Sequence, residues 1–190
     1  KSEEAILKVY EIAKAIEDRI SHAVPIVGSF PVASQKPRQF LENLTSRLIS
    51  LAPDAQIYPQ WLPVQGWYFG GASEIKTFNS EEYVEAIESL GSPVCIDVAH
   101  LIMSAAHAGV DWKEWYKRLS RFSGHFHLSD ARGIDGEGLP FGNGDLFQEN
   151  PLEIPDGNLV IIEVWQGHLH QFSGFLNALR YLSQNRNLSR

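Results

Sequence analysis

A single cysteine, Cys95, leaves the chain no partner for an internal disulfide. It lies in the apolar run 94–98, where a buried and inert thiol is expected, and this usage suits a reducing cytoplasm. Positive charge is also scarce. The 16 Lys and Arg against 23 Asp and Glu leave a net charge of -7 with no basic stripe, which argues against binding nucleic acid. No apolar run approaches the roughly 20 residues of a membrane-spanning helix, and the N-terminus lacks the basic-then-apolar order of a signal peptide. What remains is a globular composition, 44% hydrophobic and 21% charged, in 190 residues that suit one domain, 1–190.

Apolar periodicity divides the chain into alternating elements. Ile6, Val9, Ala13, Ile16 and Ile20 recur at helical steps, as do Leu41, Leu44, Leu48 and Leu51 before Pro53. Residues 24–30 and 55–61 read as short strands, the second weakened by Pro59 unless that residue ends it. The stretch 62–78, rich in Trp, Tyr, Phe and Gly, reads either as a loop packed by its own aromatics or as a lid over a ligand. A helix capped by Asn79 or Ser80 carries Tyr83, Val84, Ile87 and Leu90 and stops at Gly91. Another begins at Asp111 with Glu114 at capping-box spacing. Residues 131–158 read as a long polar loop, and Phe172, Phe175, Leu176, Leu179 and Leu182 outline a final helix before a polar tail.

Three apolar runs end in chemistry. Val94–Val98 carries Asp97 with His100 three residues beyond it; 124–130 carries His127; 159–165 carries Glu163. Strands alternating with helices imply a parallel sheet, which gathers its C-terminal strand ends on one rim. Alone, each acid or imidazole reads as a cap or a packing residue; together they form a candidate site. Two carboxylates and one imidazole suit a hard or borderline divalent cation such as Mn²⁺, Co²⁺, Zn²⁺ or Mg²⁺. Cys95, two residues before Asp97, shares its face but lies deeper, which argues against a structural zinc site at the rim.

The motifs Asp97-Val98-Ala99-His100, His127-Leu128-Ser129-Asp130-Ala131-Arg132, Phe141-Gly142-Asn143-Gly144-Asp145 and Ile162-Glu163, in this order, resemble those of the xylose-isomerase-like superfamily. That group includes sugar isomerases, ketose epimerases and endonuclease IV. The resemblance implies a (β/α)8 TIM barrel, of which this chain would hold the C-terminal five strands, the N-terminal ones being absent. It implies Asp97, His127 and Glu163 as metal ligands, with Glu163 and His100 catalytic and His100 and Arg132 contacting substrate. Trp67 would stack on the sugar. The family's glutamate from the preceding strand is replaced by Gln60, which can offer a carbonyl oxygen to a metal but cannot serve as a base. Residues 163–168 also resemble barrel domains of nonulosonic-acid pathways, which would set His168 against substrate; otherwise 165–170 is a solvent-facing turn.

The expected function is therefore metal-dependent isomerisation or epimerisation of a small sugar by proton abstraction next to a carbonyl, through an enediolate. The chain would be cytoplasmic, as a homo-oligomer or completed by the missing N-terminal segment. A catalytically silent sugar- or partner-binding domain is the alternative that Gln60 favours. Endonuclease-IV-like phosphodiester cleavage fits less well, since it demands further His ligands and a basic groove.

Overall fold

The computed structural model describes residues 2–17, 26–27, 36–51, 58–68, 71–146 and 152–185. The expected strand residues 24–25, 28–30 and 55–57, with Ile20 and the tail 186–190, lie outside the described residues.

The described residues form six α-helices and nine strands in the order α1 (Ser2–Glu17), β1 (Ile26–Val27), α2 (Pro37–Leu51), β2 (Tyr58–Pro59), β3 (Gln65–Tyr68), β4 (Gly71–Glu74), α3 (Glu81–Leu90), β5 (Val94–Asp97), α4 (Val98–Ala108), α5 (Trp112–Leu119), β6 (Ser123–Leu128), β7 (Asp130–Arg132), β8 (Gly136–Leu139), β9 (Leu159–Ile162) and α6 (Leu169–Asn185). Pro37 opens α2, where its missing N–H costs nothing. Pro59 is the last residue of β2. Helix α3 buries Tyr83, Val84, Ala86 and Ile87 and stops at Gly91, whose φ of 61° is left-handed. The side chain of Asp111 accepts the Lys113 N–H at 3.0 Å and so caps α5.

Helix α4 is absent from the sequence reading, which ran from the 94–98 strand straight to Asp111. Its residues Val98 to Ala105 are all buried, so no polar stripe marks a helical period. The local signal is its cap: Asp97 ends β5 and accepts the His100 N–H at 3.2 Å.

Strands β5, β6 and β9 form a parallel sheet in which Asp97 pairs with His127, and His125 and His127 with Leu159 and Ile161. The parallel pair β1–β2 approaches β5 through the Gln60–Cys95 bridge and a 2.9 Å bond from Trp61 N–H to the Cys95 carbonyl. One face of the sheet sends Ile96, Phe126 and Leu128 into a core shared with Val84, Ile87, Leu101, Trp115 and Leu119. Full burial of a side chain such as Phe126 contributes about 2–3 kcal/mol. The aromatic stretch 62–78 is the antiparallel β3–β4 hairpin, with Leu62, Ile75 and Phe78 buried. Within the expected 131–158 loop, β8 pairs antiparallel with β7, and Phe141 and Leu146 enter the core.

The TIM-barrel assignment, including its form as the last five strands of one, does not hold. The architecture is mixed α/β and open: a three-stranded parallel sheet, a second parallel pair and two antiparallel hairpins. A barrel requires each strand to pair on both sides and the last to meet the first. Among the described residues β9 pairs only with β6 and no strand closes the sheet. No helix among the described residues is long and apolar enough to cross a membrane.

Candidate functional site

The two-residue period of a strand sets Cys95 and Asp97 on one face of β5, and His125 and His127 on the same face of β6. Asp97 and His127 stand at the C-terminal ends, and Glu163 follows β9 directly. Ligand atoms of Asp97, His127 and Glu163 all lie within 4.8 Å of one another. His127 Nδ1 is 3.0 Å from Glu163 Oε1 and 3.8 Å from Asp97 Oδ2. Gln60 brings its amide Nε2 to 3.0 Å from Asp97 Oδ2 and 3.3 Å from His127 Nδ1.

In the orientation shown, the Gln60 amide and Glu163 compete for His127 Nδ1. His127 Nδ1 carries either one proton or one lone pair. If it donates to Glu163, the Gln60 amide N–H faces a second donor; if it accepts from Gln60, Glu163 must be protonated and competes for the same lone pair. A single divalent cation, accepting from both carboxylates, the imidazole and a turned amide oxygen, resolves the conflict, so the donor set fits such an ion.

The charges agree. Burial raises the Asp97 carboxyl above its usual range; His100 opposes this and neighbouring Glu163 adds to it. For Glu163 burial acts upward, but the hydrogen bond and charge of His127 and the charge of His100 hold its carboxyl below the usual range, and its side chain is 42% exposed. Glu163 is thus the ionised, reachable carboxylate.

His100 is fixed from both sides. Its Nδ1 lies 3.0 Å from Asp97 Oδ2 and 3.1 Å from the Trp61 carbonyl, and its Nε2 lies 2.9 Å from Glu137 Oε1. Burial disfavours its charge, yet Asp97 and then Glu137 outweigh burial and raise it to about 9. The charged form is thereby favoured at neutral pH. Trp61 is itself held by a 2.8 Å bond from its Nε1–H to Ser104 Oγ.

The other expected residues are less tightly gathered. Arg132 is exposed at the end of β7 and donates to the Asn143 carbonyl. Trp67 lies in β3 opposite Ala72, with only its backbone described. His168 is exposed in the turn before α6. Asp130 orders the 141–146 loop: its two oxygens accept the N–H groups of Ala131, Gly142, Gly144 and Leu146, each at 2.9 Å. Sequence reasoning missed Glu137 and His125. Glu137 carries no motif, whereas the His125-x-His127 alternation did mark two imidazoles for one face.

No protein-family model and no curated protein matches the chain. Among solved structures, one described as "The crystal structure of AsfvAP:AG" aligns with a TM-score of 0.39 and 15% identity over 93% of this chain, which spans 57% of that chain's length. A likeness at that level carries no argument about function.

Proposed function

We propose that the chain is a divalent-metal-dependent isomerase or epimerase acting on a small sugar or sugar derivative. The observation that carries this reading is the convergence of Asp97, His127 and Glu163 within 4.8 Å at neighbouring strand ends. A divalent cation bound by these three residues would polarise a carbonyl and the hydroxyl beside it. Glu163, ionised and partly exposed, is the group positioned to take the proton next to that carbonyl. His100, bridged between Asp97 and Glu137, would hold Asp97 in place beside the cation. Arg132 stands further along the same connection, where its guanidinium suits a hydroxyl, carboxylate or phosphate of the substrate.

Gln60 supports a second reading, a binding domain without catalysis. Its amide occupies the approach to Asp97 and His127, and only one metal-proximal base remains. Proton–deuterium exchange at the carbon next to the carbonyl of candidate ketoses, followed by NMR with added Mn²⁺ or Co²⁺, separates the two. Exchange that disappears in Asp97→Asn supports the isomerase. Exchange appearing only in Gln60→Glu supports the silent domain, and exchange that persists undiminished in Asp97→Asn overturns the isomerase reading at this site.

A further inference from the structure

Beneath the Asp97–His127–Glu163 group lies a second cluster on the same sheet face. Ligand atoms of Cys95, His125 and His127 lie within 4.8 Å of one another, and all three residues are buried. Cys95 and His125 are register partners, one step deeper than Asp97 and His127, with Cys95 Sγ 3.5 Å from His125 Nε2. The two imidazoles approach at 5.0 Å between ring centroids.

Among the described residues, two nitrogens in this cluster have no hydrogen-bond partner: Nδ1 of His125, a residue 1% exposed, and Nε2 of His127, 5% exposed. Buried polar atoms in folded proteins are almost always paired, so an unused His127 Nε2 in a cluster where His125 Nε2 already meets Cys95 Sγ calls for an occupant. His127 has spent Nδ1 on Glu163, which leaves Nε2 as its unused ligand atom.

We propose that Cys95, His125 and His127 form an inner binding site for a thiophilic cation of the Zn²⁺ type, sharing His127 with the outer carboxylate group. Sulfur and two imidazole nitrogens select softer ions than the carboxylates above them, so the two tiers sort cations by hardness. Binding forms metal–sulfur and metal–nitrogen bonds and releases the Cys95 thiol proton to solvent; His127 keeps its Nδ1 proton while only the inner tier is filled and gives it up, as a bridging imidazolate, when both are. Beside the cluster, the register partners Leu159 and Ile161 on β9 are 38% and 43% exposed. The site stands on this geometry and not on the isomerase reading.

The test is Co²⁺ and Zn²⁺ loading of the EDTA-treated full chain. Co²⁺ is expected to produce a near-ultraviolet thiolate-to-cobalt charge-transfer band in the unmodified chain and in Glu163→Gln, and no band in Cys95→Ser. Zinc-edge X-ray absorption of the unmodified chain needs no variant. It is expected to show one sulfur at about 2.3 Å. Saturating Co²⁺ binding without the band, or zinc surrounded only by nitrogen and oxygen, overturns the inner site while leaving the outer one standing. Exchange activity without the inner cation leaves the proposed reaction intact.

Discussion

His100 and Glu137, 37 residues apart in the chain, share a 2.9 Å hydrogen bond that ties the start of α4 to the β7–β8 hairpin. With Asp97 on the other ring nitrogen, the imidazole bridges two carboxylates. The contact favours the charged form of His100.

That raised His100 sets a pH dependence. Its folded value, about 9, stands above the ordinary 6.5, so the stabilisation from its protonation is fully present below pH 6.5 and lost as pH rises through 9. Metal-free protein should therefore lose stability across this window, by about 3 kcal/mol at most. Urea unfolding at a series of pH values checks this. A flat profile from 6.5 to 9 would contradict the charged imidazole.

Glu137→Gln should lower the His100 titration toward its ordinary value, because the charged hydrogen bond becomes a neutral one. Imidazole nitrogen NMR reads this directly, and a stability loss of about 1 kcal/mol should accompany it, since Glu137 is partly solvated. An unmoved titration would mean that Asp97 alone holds the charge.

Asp130→Asn should be among the more damaging single changes outside the site. Four backbone N–H groups converge on the two Asp130 oxygens, and asparagine offers one oxygen while turning its own N–H groups toward the remaining donors. We expect a loss of about 3 kcal/mol and faster amide exchange at Gly142, Gly144 and Leu146. Unchanged protection at those amides would show that the loop is held by other contacts.

Period-two alternation in short apolar runs was enough to place Asp97, His127 and Glu163 late on consecutive strands, because side-chain direction along a strand is a local property; β9 in fact ends at Ile162, one residue before Glu163. The same alternation set Cys95 beneath Asp97. Reading Cys95 as inert followed from considering it alone; only the β5–β6 register puts a second sulfur-matched imidazole beside it. Helix α4 escaped because its burial on all sides erases the polar stripe that marks a helical period.

The sequence by itself determined Asp97, His127 and Glu163 as candidate ligands and the shared strand face of Cys95 and Asp97, since both follow from residue type and a two-residue repeat. Tertiary structure alone decided the open sheet in place of a barrel, the Glu137 partner of His100, the Gln60 amide against Asp97, and the two unpaired imidazole nitrogens. Each of these depends on which distant segments meet and in what register, and that is set by the packing of the whole core rather than by any local pattern.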